Sequence, residues 1–210
     1  MEGKGTIFIV SSPSGCGKTT IIRKFLEKHK NFYFSISHTT RPKRPREING
    51  KDYFFVTKKE FKQMIKDQKF LEWAIVHNEY YGTSKEKVLE KINKGINVIL
   101  DIDIQGAKKI IENKTLKGYD IVKIFIFPPS YEELKKRILK RGQDTEESIK
   151  IRLKNAYTEL ENYKIYDYII INEILNKAIS DFETIINANL LKTTKQEKNI
   201  KKILTTWEGK

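Results

Sequence analysis

The chain opens on a buried-looking apolar run, Thr6–Val10. It passes through a stretch of small residues and resumes with Ile21, Ile22, Phe25 and Leu26 at helical spacing. This order predicts a short strand, a glycine-rich turn over 12–17 and an amphipathic helix through TTIIRKFLEKH. Further on, Ile96–Ile102, Ile121–Phe127 and Tyr168–Ile171 are β-branched or aromatic runs. Between and after them, 105–114, 130–141, 145–162 and 174–190 repeat their apolar residues with a helical period. Pro128-Pro129-Ser130 marks a helix start, with Ser130 as the N-cap. Strands alternating with helices predict an α/β fold with a parallel sheet covered on both faces. Residues 35–88 break the alternation. Rich in Thr, Pro, Arg, Tyr and Gly, they predict short strands and turns with one helix near 58–67, and read as an insertion that holds a substrate. The core is then 1–34 with 89–190, and the lysine-rich tail 191–210 carries no assigned order. No internal repeat is present.

A length of 210 residues suffices for one domain with a substantial core, and 39% hydrophobic content argues against disorder. No apolar run approaches the roughly 18 residues of a membrane span, and MEGKGTIFIV followed at once by SSPSGCGK does not read as a cleavable signal, so a cytoplasmic location is expected. The single cysteine, Cys16, excludes an intramolecular disulfide. His29, His38 and His77 lack metal-ligand spacing, which argues against a metal held by His and Cys. A formal net charge of +14 invites a nucleic-acid reading. The lysines, however, are scattered over every segment, with no dense basic arm and no interleaved aromatic motif. Only seven of the 41 basic residues are arginines, and all but Arg23 fall within 41–46 and 137–152. That placement points to forks for phosphate and away from nucleic acid.

Ser12-Pro13-Ser14-Gly15-Cys16-Gly17-Lys18-Thr19, followed by Thr20, has the spacing of a phosphate-binding loop with serine in place of the first glycine. Small residues let successive backbone N–H groups curl around phosphate oxygens, and the following helix adds its positive end. Lys18 is placed to reach the β- and γ-phosphates of ATP, and the Thr19 hydroxyl to ligate Mg²⁺. An ordinary glycine turn is the competing reading, but strand, loop, Gly-Lys-Thr and helix arrive in the required order. Cys16 needs only its backbone N–H there; a helix N-terminus lowers a thiol pKa, yet a passive role is expected. In Val98–Asp103, Asp101 and Asp103 are two apart and would share one face of a strand. Asp101 is the candidate for holding Mg²⁺, through water; a helix-cap role is the alternative.

Arg41, Arg44 and Arg46 lie within six residues, with prolines keeping the chain extended, and Tyr53 adds a hydroxyl donor. Composition alone leaves a phosphate grip and a solvated basic loop equally open. The pattern T-T-R-x-x-R-x-x-E-x-x-G-x-x-Y-x-F is met in full by Thr39, Thr40, Arg41, Arg44, Glu47, Gly50, Tyr53 and Phe55. With Phe70–Ala74, Tyr80–Ser84, Leu100–Gly106, Arg137, Arg141-Gly142, Arg152 and Asn172, the chain from about 5 to 190 resembles the guanylate kinase family. The resemblance implies a P-loop kinase sheet flanked by helices, a small strand-rich GMP-binding insertion, a helical lid over about 137–160, and Mg²⁺-assisted phosphoryl transfer from ATP to GMP or dGMP. It implies that Ser12–Thr20 and Asn172 bind ATP, with Asn172 by the adenine. Arg41, Arg44, Tyr53 and Tyr81 would grip the GMP phosphate. Glu72 would read guanine N1–H and the 2-amino group, with Ser37 and Thr83 near O6 and Asp103 close by. Lys18, Arg41 and the lid arginines Arg137, Arg141 and Arg152 would be catalytic, and Thr19 and Asp101 would hold the metal. Arg46 lies outside the pattern and reads as a solvated charge.

Arg137 and Arg141 are four apart, on one helical face, and the Gly142 break suits a mobile lid. An ionised acceptor oxygen needs no general base, which fits the lack of an obvious one. Two rival classes stand beside the kinase: a non-catalytic interaction module built on the same fold, and a P-loop ATPase acting on nucleic acid. The former typically loses the loop lysine, present here as Lys18; the latter lacks a base-stacking motif. Oligomeric state is left open.

Overall fold

Strand β1 (Thr6–Ser11) is buried along its whole length because it runs through the centre of the sheet. The structure is a computed structural model that describes residues 3–76, 78–140 and 146–207. β1 pairs in parallel with β7 (Asn97–Asp101) and β8 (Asp120–Phe127); β2 (Phe32–Ser35) and β9 (Tyr168–Ile171) form the edges, giving the order β2-β7-β1-β8-β9. Alternation along β1 sends Phe8 and Val10 to one face and Ile7 and Ile9 to the other. The first face is covered by α1 (Lys18–Lys28), α5 (Tyr131–Leu139), α6 (Glu146–Leu160) and α7 (Leu175–Leu190) through residues such as Ile22, Leu134, Leu153 and Phe182. The second is covered by α3 (Lys85–Asn93) and α4 (Ile104–Glu112) through Val88, Ile92, Ala107 and Ile110. Both faces are therefore dry, which is why the strands read as near-continuous apolar runs. Phe25 ties α1 to β2 and α7 by edge contacts to Phe32 at 4.9 Å and Phe182 at 5.2 Å.

A second sheet of order β4-β3-β6-β5 is built from β3 (His38–Thr39), β4 (Phe54–Phe55), β5 (Phe70–Val76) and β6 (Glu79–Ser84). Helix α2 (Lys58–Lys66) packs on it through Phe61, fully buried and stacked on Phe70 at 4.5 Å. A capping box starts α2: the Glu60 N–H donates to the Thr57 hydroxyl at 3.2 Å, and the Thr57 N–H to the Glu60 carboxylate at 2.7 Å.

The parallel sheet flanked by helices is as the sequence predicts, as is Ser130, whose hydroxyl caps α5 by accepting from the Glu133 N–H. Three elements were not expected. β2 is an edge strand of four residues, too short for a periodic signal. α3 carries only Val88, Leu89 and Ile92 as large apolar residues among lysines and glutamates. The tail forms α8 (Thr193–Thr205), tied to β8 by Lys195 Nζ at 3.0 Å from Asp120. A further difference concerns Asp101 and Asp103: β7 ends at Asp101, and Asp103 is the N-cap of α4, its carboxylate accepting from the Gly106 N–H at 2.8 Å. Their shared strand face is thus replaced by a strand end followed by a helix start, because the short polar side chain of Asp103 satisfies an otherwise orphaned helix donor. No helix among the described residues is long and apolar enough to cross a membrane.

Candidate active site

The loop between β1 and α1 opens into a cleft of about 370 Å³ at the carboxyl end of the parallel strands. Gly17, the N-cap of α1, sits at φ 92°, and an added Cβ would fall 2.4 Å from the Asn172 Nδ2. Only glycine serves there, both for the backbone angle and for the close approach. Asn172 is buried behind the loop and donates to the Cys16 carbonyl at 2.7 Å, so it braces the loop from β9. Cys16 itself is buried within the apolar cluster beneath the loop, in keeping with a passive role. Ser12 is accommodated by donating its hydroxyl to the Pro13 carbonyl at 3.1 Å.

Lys18 Nζ lies 2.6 Å from an Asp101 carboxylate oxygen and 3.2 Å from the Ile102 carbonyl. The Thr19 hydroxyl is 3.5 Å from the other Asp101 oxygen. The lysine, the hydroxyl and the carboxylate are therefore one unit facing the cleft, and Asp101 is not a helix cap.

The opposite wall comes from the second sheet. Glu72, on β5, is 6% exposed and accepts from the Thr83 hydroxyl at 2.5 Å. Burial pushes its carboxyl up to about 7, with Asp103 adding to the rise and Thr83 and Lys109 opposing it. Gly106 makes this approach possible, since an added Cβ would fall 2.8 Å from Glu72 Oε2. Arg41 is held by Glu47 at 2.6 Å and lies 5.4 Å from the centroid of the Tyr53 ring, with the Tyr81 hydroxyl beside it. Burial, with Asp101 nearby, raises the Tyr53 phenol to about 12, so it remains a donor at neutral pH. Glu47 also accepts from the Arg44 N–H at 2.8 Å, and one carboxylate thereby shapes the whole arginine turn. Ser37 and Tyr53 line both this cleft and an adjoining crevice that carries the exposed side chains of Arg44 and Arg46.

From α6, Arg152 Nη2 reaches the Ser14 hydroxyl at 3.4 Å. Glu159, on the same helix, also lines the cleft; sequence reasoning did not single it out. Its only signal is the helical repeat that puts it on the face of Arg152.

A family model described as guanylate kinase matches residues 4–189. The chain belongs to the guanylate kinase family. It is 46% identical to the guanylate kinase of Clostridium acetobutylicum over 210 residues, covering 100% of this chain and 97% of that one. Against the guanylate kinase of Thermotoga maritima it is 44% identical over 206 residues, covering 98% of each. The crystal structure of guanylate kinase from Anaplasma phagocytophilum superposes with a TM-score of 0.75 at 34% identity, covering 93% of this chain and 91% of that one.

Within this guanylate kinase fold the candidate residues fall into three groups. Ser12–Ser14, Gly15, Gly17–Thr20, Ser37, Tyr53, Glu72, Tyr81, Asp101, Asp103 and Arg152 converge on one cleft. Arg41 and Thr83 are one bond removed from these walls, Thr83 on Glu72 of the cleft and Arg41 on Glu47 of the adjoining crevice, which Arg44 also lines. Arg137 is turned along α5 to Glu133 at 2.8 Å and Asn172 lies beneath the loop, while Arg141 and Gly142 lie outside the described residues.

Proposed function

We infer that the chain transfers the γ-phosphoryl group of ATP to GMP, and to dGMP, giving ADP and GDP or dGDP. The observation that carries this reading is the meeting, in one cleft, of a phosphate loop and a buried acceptor-only carboxylate, Glu72. A carboxylate offers no donor, and the guanine edge offers N1–H and an amino group, so base and pocket are complementary. The Arg41 fork, oriented by Glu47, and the Tyr53 and Tyr81 hydroxyls would hold the acceptor phosphate, with Arg44 at its open side.

Both reacting phosphates are anionic, and the obstacle is to bring them into line. Lys18 would exchange Asp101 for the β- and γ-phosphate oxygens, and Arg152 would close on them from α6. Positioning and charge stabilisation then carry catalysis, and closure of the lid helix excludes water as a competing acceptor. The Thr19 hydroxyl and the Asp101 carboxylate are adjacent hard oxygen donors, which fits Mg²⁺ bound chiefly through phosphate and water. They would hold that ion, and it would neutralise charge on the phosphoryl oxygens. A cytoplasmic location fits ATP and GMP as substrates.

The test is to incubate the protein with ATP, Mg²⁺ and GMP and to quantify ADP and GDP by chromatography. Equimolar ADP and GDP are expected. ADP formed at the same rate without GMP would indicate an ATPase, and no ADP at all a non-catalytic module.

A further inference from the structure

Four carboxylates line the cleft, and three of them have partners: Asp101 holds Lys18. Glu72 accepts from Thr83, and Asp103 from the Gly106 N–H. These two flank Gly106, whose added Cβ would meet Glu72 at 2.8 Å and Asp103 at 3.3 Å, so Asp103 is next in line after Glu72. Glu159 follows, close enough to feel both Asp103 and Lys18. It sits seven residues beyond Arg152, two turns further along the same face of α6 and about 10 Å along the helix axis. Arg152 thus reaches the phosphate loop while Glu159 reaches the stretch between the base-reading carboxylate and the phosphate-binding lysine. Among the described residues Glu159 makes no hydrogen bond and no ion pair, although it is largely buried and lines the cleft.

A partly desolvated carboxylate without a donor is costly unless a ligand supplies one. If GMP is the acceptor, its N1–H and amino group go to Glu72, and its ionised phosphate has nothing to donate. The sugar of the ATP donor lies beyond the α-phosphate, away from Lys18. The donors that remain are the 2′- and 3′-hydroxyls of the acceptor's ribose, which must lie between base and phosphate. We propose that Glu159 accepts hydrogen bonds from the ribose hydroxyls of the acceptor nucleotide and makes the cleft favour a ribonucleotide over its deoxy counterpart. This rests on the GMP reading above. The titratable and charged groups facing Glu159 are Lys18 on α1, Asp103 at the start of α4 and the Tyr166 hydroxyl ahead of β9. Burial first, then Asp103, raise Glu159 to about 7 against the pull of Lys18, so the ionised, accepting form gains ground between pH 6 and 8.

The experiment is kcat/KM for GMP, 2′-deoxy-GMP, 2′,3′-dideoxy-GMP and IMP at pH 6 and pH 8, in the wild type, Glu159→Gln and Glu159→Ala. Wild type should favour GMP over the dideoxy nucleotide by about ten-fold or more at pH 8, and by less at pH 6. In Glu159→Ala that ratio should fall to within about two-fold at both pH values, with Glu159→Gln between, while the GMP-to-IMP ratio set by Glu72 stays unchanged. Titration of Glu72 cancels in the sugar ratio, because every acceptor but IMP carries the same base. Equal use of GMP and dideoxy-GMP by the wild type overturns the proposal even if neither variant folds, as does an unchanged ratio in Glu159→Ala. Failure of the GMP reading shows separately, as wild type that forms no GDP.

Discussion

At the scale of single residues, chemistry was legible where it is packed into a short stretch of chain. Ser12–Thr20 announces itself by spacing, and Arg41, Arg44 and Glu47 by density, because a loop that wraps phosphate is local in sequence. Glu159 was not legible: it sits in a helix of ordinary amphipathic pattern, and only tertiary packing brings it beside Asp103 and Lys18. Glu47 and Gly106 were seen as parts of a pattern without a reason; the structure supplies the reasons, an arginine orienter and a gap for Glu72. Three predictions belong here. Lys18→Ala should lower kcat by several orders of magnitude while thermal unfolding shows an intact fold, since the loss falls on transition-state charge. Glu72 titrates at about 7 in the folded chain against an ordinary 4.5. Its folded pKa is raised, so below about pH 4.5 both states are protonated and there is no penalty. Between roughly pH 4.5 and 7 the unfolded state ionises first, and stability falls by up to about 3 kcal/mol. Urea unfolding of wild type and Glu72→Gln across that range should show the larger loss in wild type, because glutamine keeps an acceptor for Thr83 and cannot ionise, while Glu159, also raised to about 7, contributes equally to both. GMP needs the ionised form, so its affinity in wild type should weaken as pH drops from 8 to 6, and calorimetry reads that directly.

Elements were legible in proportion to their length and regularity. β1, β8 and the helices α1, α5, α6 and α7 carry strong patterns because they bury a face against a dry sheet. β2 and α3 escaped because four residues at an edge, or one helical turn of apolar contacts, give too little repetition. The Asp101–Asp103 pair shows another limit: a strand that ends one residue after its last buried position looks the same in sequence as one that continues. The caps that terminate such elements carry measurable energy. Thr57→Ala removes the acceptor for the Glu60 N–H and should cost about 1 kcal/mol in denaturant unfolding, with Thr57→Ser restoring most of it. Phe25→Ala should cost more, about 3–5 kcal/mol, because it empties the joint between α1, β2 and α7.

At the scale of the whole molecule, two sheets with different tasks face each other across one cleft. The parallel sheet presents the phosphate loop at its carboxyl edge, and the small sheet presents Glu72 from β5, Tyr81 from β6 and Tyr53 from the turn before β4. Neither wall alone would define a reaction; on the function proposed above, together they would set a triphosphate against a base-specific acceptor site. The net charge of +14 is spread over the surface and is not what selects the ligand. On that reading selection would rest on a few desolvated groups, and a mismatched base should be rejected far more strongly than a change in overall charge would suggest. The measurement that bears most directly on this account is kcat/KM for GMP and for AMP under identical conditions, with ATP as donor. Adenine turns a bare N1 toward Glu72, leaving a buried carboxylate against an acceptor, so GMP should be favoured by roughly 10⁴-fold or more. Equal use of AMP and GMP would contradict it.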